Sequence, residues 1–209
     1  MSNSAPPIPP AADSGGPDPL RRAAEWVETA LASALLEPTA FALSTVGPDG
    51  HPSSRMVLLK GLDTQGFAFY TNLESRKVRE METNPWVALC FFWAPLGRQL
   101  RVEGRVEPVS ATEADGYYAS RARGSRIGAW ASRQSAPLGS REELEERVRQ
   151  IEARHPGEEI PRPPFWSGFR VLPAKIEFWQ AMPNRLHDRE LYTRDPENAE
   201  KWRVQRLYP

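Results

Sequence analysis

Cysteine occurs once in the chain, at Cys90. A single thiol forms no disulfide within the chain and excludes a cysteine-rich metal site. Cys90 lies in the apolar run VALCFFW, where it reads as a small buried hydrophobe rather than a nucleophile. An excess of one charge is also lacking: 27 Lys and Arg face 27 Asp and Glu, a formal net charge of zero. A general nucleic-acid binder shows a basic excess, so any anion site must come from local clustering. No run nears the roughly 20 apolar residues of a membrane span. The N-terminus has no basic start followed by an apolar core. A cytoplasmic protein without a membrane partner is the expectation. Neither GxGxxG nor GxxxxGK[ST] occurs, which removes the Rossmann and P-loop routes to nucleotide binding. No His/Cys/Glu spacing suits a metal. Asp188 beside His187 makes no triad, because no GxSxG elbow supplies a serine.

What is present falls into a tail and one domain. Residues 1–19, MSNSAPPIPPAADSGGPDP, hold few large apolar groups and cannot offset their ordering entropy, so they read as a disordered Pro-rich tail. Residues 20–209 read as a single domain of ordinary size. LRRAAEWVETALASALL predicts a helix with Leu20, Ala24, Trp26 or Val27, Leu31 and Leu35 on one face, ended by Pro38. AFALSTV, SSRMVLLK and FAFYTN, split by GPDG and GLDTQG, predict a meander. A helix over ESRKVREMETN follows, then the strand pair WVALCFFW and RQLRVEGRVEPV. Ser110 with Glu113, and Ser140 with Glu143, have capping-box spacing and open two more helices. Between them SRARGSRIGAWASRQS fits neither period and reads as a mobile or ligand-binding loop. GFRVLP, KIEFWQ, RELYTR and KWRVQRLYP end the chain as strands. Seven or eight short strands with tight turns and a few helices predict a mainly β (α+β) antiparallel barrel.

The basic residues mark the site. In SSRMVLLK, Arg55, Val57 and Leu59 share one face and Met56, Leu58 and Lys60 the other. Taken alone, Arg55 and Lys60 read as strand ends whose stems reach water. FYTNLESRK joins Tyr70 and Thr71 at a strand end to Ser75, Arg76 and Lys77 at a helix start. Hydroxyls, free amides and two cations at one spot suit a phosphate. YYASRARGSRIGAW carries Tyr117, Arg121, Arg123, Ser125 and Arg126 with no acid nearby. Arginine suits forked contact with phosphate. Gln134 and Ser135 follow. In RLHDR, an extended chain would turn Arg185, His187 and Arg189 to one side, a costly face unless an anion sits against it. Trp179 stands close by in sequence as a large flat surface. These clusters, without metal or nucleotide fingerprints, predict a barrel that binds phosphorylated aromatic ligands. Flavin mononucleotide (FMN) is one candidate.

The segments RMVLLKG, FYTNLESRK, SRIGAWASRQS, PPFWSGFRV, IEFWQ, NRLHDR and RLYP occur in that order. Together they resemble the pyridoxine/pyridoxamine 5′-phosphate oxidase family over nearly all of residues 20–209. The resemblance implies an FMN-binding split β-barrel and a homodimer with FMN at the subunit interface. It implies loss of a hydride from C4′ of the phosphorylated pyridine to flavin N5. O2 is the electron acceptor, and pyridoxal 5′-phosphate and H2O2 are the products. By position, the FMN contacts fall on Arg55, Met56, Val57, Leu58, Leu59 and Lys60, on Tyr70, Thr71, Arg76 and Lys77, and on Gln99, Gln134, Ser135, Trp179 and Arg189. The substrate contacts fall on Lys60, Tyr117, Arg121 and Ser125 as the phosphate clamp. Arg185 and His187 fall over the ring, as the catalytic pair. The family often carries a basic, tyrosine-containing N-terminal lid, which the Pro-rich tail here does not match. Three other readings compete: a related FMN oxidase of phenazine biosynthesis, a non-catalytic flavin-binding split barrel, and a small barrel for single-stranded nucleic acid.

Overall fold

The computed structural model describes residues 18–209. The Pro-rich segment read as disordered lies, through residue 17, outside the described residues. Its last two residues are ordered: the Asp18 side chain caps the first helix, and Pro19 opens it. This helix, α1 (Pro19–Leu31), is shorter than its periodicity suggests, and Leu31 is exposed. It buries Leu20, Ala23, Trp26, Val27 and Ala30 instead.

Strands β1 (Ala40–Val46), β2 (Pro52–Leu58), β3 (Gly61–Leu62) and β4 (Phe67–Asn72) precede helix α2 (Arg76–Thr83). Strands β5 (Trp86–Trp93) and β6 (Arg98–Pro108) follow, joined by a 3-10 turn at Ala94–Leu96. Then come α3 (Ala111–Ser120), α4 (Arg123–Ala131), α5 (Arg141–Arg154), β7 (Trp166–Gln180), β8 (Asp188–Arg194) and β9 (Trp202–Arg206). Ser110 and Ser140 cap α3 and α5 by accepting from the amides of Glu113 and Glu143. The segment expected to be a loop is helix α4. Its periodic signal is the pair Ile127 and Ala131, which packs on Ile151 of α5 and on Ile160.

The sheet runs β2-β1-β5-β6-β7-β4-β3, with β8 on β7 and β9 on β8, and every pairing is antiparallel. It curls into a half-barrel with flanking helices. GFRVLP and KIEFWQ belong to one strand, β7, rather than two. Pro173 does not break it because it sits where the β6 register shifts, between Glu103 and Gly104. Gly104 is required there: a Cβ would lie 2.2 Å from the Leu172 carbonyl oxygen. The first half of β7 pairs with β4 and the second half with β8. One strand therefore links the two regions that hold the candidate site residues. The core lies between the curled sheet and α1, built on Phe41, Phe67, Phe69, Phe91, Leu100 and Phe178.

Glu80 of α2 is a buried carboxylate, 4 % exposed. It accepts from Thr45 Oγ1, Ser53 Oγ, Arg55 and Arg76. Burial alone would raise this carboxyl, but those hydrogen bonds outweigh it and hold it at about 2. A depressed carboxyl stabilises the fold above its ordinary value of 4.5 and loses that contribution as pH falls through the folded value. Urea unfolding should therefore show stability falling between about pH 5 and about pH 2.5. Glu80→Gln should flatten that slope; an unchanged slope in the variant would contradict this assignment.

Candidate functional site

A cleft of about 480 Å³ opens at the ends of β2 and β4, beside the start of α2 and the α3–α4 junction. Its walls include Met56, Val57, Leu58 and Lys60 from the first meander, and Tyr70, Thr71 and Lys77 from the second strand end. Tyr117, Arg121, Ser125 and Gln134 come from the helical segment. Folding thus gathers eleven of the predicted site residues from three separate stretches of sequence. Asn72, Gly128, Ala129, Ser132 and Trp166 also line it, and the motif reading gave none of them a role.

Lys60, Lys77 and Arg121 face this cleft, and among the described residues no carboxylate lines it. Lys77 is 7 % exposed. Its ammonium donates to Thr71 Oγ1 at 2.9 Å, Ser75 Oγ at 3.0 Å and Gln134 Oε1 at 2.8 Å, all neutral acceptors. Burial, helped by Arg55 and only partly countered by Glu80, pushes its pKa down to about 8. Burial likewise lowers Lys60, with Glu37 opposing and Arg121 adding. Arg121 is lowered mainly by burial, and its buried Nη1 has no hydrogen-bond partner among the described residues. Desolvated cations held by neutral groups, with a donor to spare, form a site for an anion with several acceptor oxygens.

Aromatic rings form one wall. Tyr70 stacks on Tyr117 at 4.0 Å between ring centres and on Trp166 at 5.6 Å. The Tyr70 hydroxyl donates to Glu113 Oε1 at 3.2 Å, and burial together with that carboxylate pushes its phenol up. Gly168 lies opposite Tyr70 on β7, and a Cβ there would sit 2.6 Å from the Tyr70 ring. Gly168→Ala should therefore displace the ring, destabilise the fold by about 1–3 kcal/mol and change the near-ultraviolet circular dichroism of the stack. Wild-type stability and spectrum would contradict this.

The other predicted residues lie elsewhere. Arg55 does not end its strand with its stem in water. Its guanidinium turns inward to the Leu43 carbonyl, Thr45 Oγ1, Ser53 Oγ and Glu80. Arg76 also bonds Glu80, and Leu59 is buried in the core. Ser135 follows Gln134 with a left-handed φ of 71°. Gln99, Trp179 and Arg189 form one row across β6, β7 and β8, with Phe92 of β5 beside Gln99. The buried Glu177 grips Arg189 through Nε at 2.8 Å and Nη2 at 3.2 Å, and also pairs with Arg101. Burial would raise the Glu177 carboxyl, but the bonds from the two arginines hold it below its ordinary value. His187 packs on Trp179 at 4.5 Å, and its Nδ1 accepts from the Met182 amide at 3.2 Å. The neutral ring then carries its proton on Nε2. Asn184 and Arg185 are both left-handed, at φ 57° and 62°. Two such non-glycine residues in succession store strain of a kind found at ligand clamps. Neither Arg185 nor His187 lines the cleft of their own chain.

Comparison with known proteins places this arrangement. Residues 27–155 match the profile described as pyridoxamine 5′-phosphate oxidase. Residues 166–209 match the pyridoxine 5′-phosphate oxidase C-terminal dimerisation region. The chain belongs to the pyridoxine/pyridoxamine 5′-phosphate oxidase family. It is 56 % identical over 193 residues to the enzyme of that name from Myxococcus xanthus (strain DK1622), covering 92 % of each chain. With that from Rubrobacter xylanophilus it shares 55 % over 199 residues, 95 % of this chain and 90 % of the other. Among solved structures it is similar to PhzG from Burkholderia lata 383, in complex with tetrahydrophenazine-1-carboxylic acid. The TM-score is 0.86 at 32 % identity, over 95 % of this chain and 100 % of that one. A pyridoxamine 5′-phosphate oxidase-related, FMN-binding protein from Nostoc punctiforme PCC 73102 shares the fold, with a TM-score of 0.74 at 18 % identity over 94 % of this chain and all of that one.

Proposed function

We propose that this chain oxidises pyridoxine and pyridoxamine 5′-phosphates to pyridoxal 5′-phosphate, as an FMN-dependent homodimer using O2. The observation that carries the reading is the cleft with three desolvated cations, no carboxylate and an unpartnered Arg121 donor. Two phosphates, one from the cofactor and one from the substrate, suit that charge. Lys77, Thr71, Gln134 and Ser135, with Arg55 and Arg76, would hold FMN from one subunit, flanked by Met56 to Leu59 and Tyr70. Gln99, Trp179 and Arg189 of the other subunit would complete it. FMN, when bound, supplies the hydride acceptor and passes the electrons to O2, giving H2O2.

The chain's own groups orient and discharge the substrate. Lys60, Tyr117, Arg121 and Ser125 take the substrate phosphate, which fixes C4′ in a near-attack position. Arg185 and His187 of the partner subunit cover the ring. His187 Nε2–H and the Arg185 guanidinium would steady the negative ring oxygen by donating to it. The alcohol substrate gives the aldehyde directly; the amine route consumes one water and releases ammonia.

The phenazine-type reading takes its support from the likeness to PhzG, at 32 % identity against 55–56 % for the oxidases of vitamin B6 phosphates. Lys60, Tyr117, Arg121 and Ser125 together favour a phosphorylated substrate. The test is direct: purified protein with FMN and pyridoxamine 5′-phosphate in air should be yellow and form pyridoxal 5′-phosphate and H2O2 in equal amounts. A yellow protein that forms neither would favour the phenazine-type or non-catalytic reading. A protein that takes up no FMN would overturn the proposal.

A further inference from the structure

Arg121 is held in an unusual way. Its guanidinium lies 4.8 Å from the Trp166 ring centre and 5.8 Å from that of Tyr118, while Nη1 is buried without a hydrogen-bond partner. Among the described residues no salt bridge reaches it, although other arginines pair with acids: Arg170 with Asp63 and Glu113, Arg162 with Asp115, Arg189 with Glu177. An acid beside Arg121 would satisfy the charge and compete with any incoming anion. An aromatic face attracts the cation without accepting its in-plane N–H groups. The donors therefore stay available.

Trp166 also fixes the second clamp residue. It is 5 % exposed, lines the cleft, and lies nearly parallel to both Tyr70 and Tyr117, at 5.6 Å and 6.1 Å. One ring thus sets the positions of Arg121 and Tyr117, which come from α3 and its C-terminal cap. Trp166 opens β7, where Asn72 is its register partner.

We infer that Trp166 is a positioning residue for phosphate selectivity: its indole face holds Arg121 unpaired and Tyr117 stacked, so that both are ready for the substrate's phosphate. The inference rests on the function proposed above. It separates Trp166 from residues that touch the reacting carbon, so its loss should weaken ground-state binding of phosphate and leave the chemical step alone.

The test compares FMN-loaded wild type with Trp166→Leu and Trp166→Phe. For Trp166→Leu, KM for pyridoxamine 5′-phosphate should rise about tenfold, with kcat and FMN affinity close to wild type. Trp166→Phe retains a π face and should recover most of that loss. The preference for pyridoxamine 5′-phosphate over unphosphorylated pyridoxamine should shrink in the leucine variant alone. Equal losses in both variants, or a fall in kcat at unchanged KM, would overturn the inference. Titration of inorganic phosphate against the same three proteins gives a readout independent of turnover. Weaker phosphate binding only in Trp166→Leu, with an inactive wild type, would sink the oxidase reading and keep this one. Equal phosphate binding in all three would overturn it whatever the activity.

Discussion

Arg185→Leu and His187→Asn should each lower turnover of pyridoxamine 5′-phosphate by about a hundredfold or more, with FMN still bound. The two residues are carried by a strained turn, Asn184 and Arg185 being left-handed in succession. A fold keeps such a turn where its surroundings dictate it and its function uses it. The His187 ring is fixed by Trp179 and the Met182 amide, which leaves Nε2 as its free edge. Neither side chain belongs to the network around Lys77 and Gln134 that is assigned to the FMN phosphate. Turnover and flavin content should therefore separate, as read by steady-state kinetics and the visible spectrum of the same samples. Loss of flavin from either variant would make the turn part of the cofactor site instead.

Lys77→Met should weaken FMN binding by about ten- to a hundredfold, the worth of a charge-assisted hydrogen bond, without lowering the thermal stability of the flavin-free protein. The sign follows from the lowered pKa. A lysine at about 8 in the fold, against an ordinary 10.5, costs stability at every pH where it carries its proton, and that cost disappears as pH rises through the two values. A bound anion reverses the shift. FMN affinity of the wild type should accordingly fall above about pH 8, and binding near pH 8.5 should take up protons. Titration calorimetry in two buffers of different ionisation enthalpy measures that uptake. The methionine variant should show none of it from this site; equal uptake in both proteins would place the titrating group elsewhere.

Much of the fold is legible in the sequence because its signals are local. Period-two runs bounded by GPDG and GLDTQG give β1, β2 and β4 nearly residue for residue, and the Ser–Glu spacings give the starts of α3 and α5. The misreadings come where tertiary contacts override the local signal. Helix α4 carries two glycines and two arginines, counting Arg123, and is held by Ile127 and Ala131 against a helix that comes later in the chain. Pro173 looks like a strand end until β7 bulges at Ala174, with Gly104 of β6 opposite the proline. Arg55 looks like a strand end because its partner, Glu80, is 25 residues away on another element.

The candidate site divides the same way. Its cationic residues stand out in a chain of zero net charge, since they bunch in a few short stretches, one of which, Arg121 to Arg126, contains no acid. The carboxylates that organise them do not. Glu80, Glu113 and Glu177 sit among ordinary helix and strand residues, and only folding brings them to Arg55, Tyr70 and Arg189. Trp166 is legible as part of a motif, but its hold on Arg121 depends on a helix end contributed about 45 residues earlier.

In the proposed dimer, the cation cleft of one subunit and the Arg185–Arg189 segment of its partner form one site. Co-expression of Lys77→Met and His187→Asn chains under two different tags, with isolation of the doubly tagged dimer, tests it most directly. At an FMN concentration that fills the wild type but not the Lys77→Met protein, each homodimer should be nearly inactive with pyridoxamine 5′-phosphate. In the mixed dimer, one site collects both substitutions and the other neither, so about half the wild-type activity should return. A mixed dimer as inactive as its parents would contradict a shared site and return Lys77 and His187 to the same subunit.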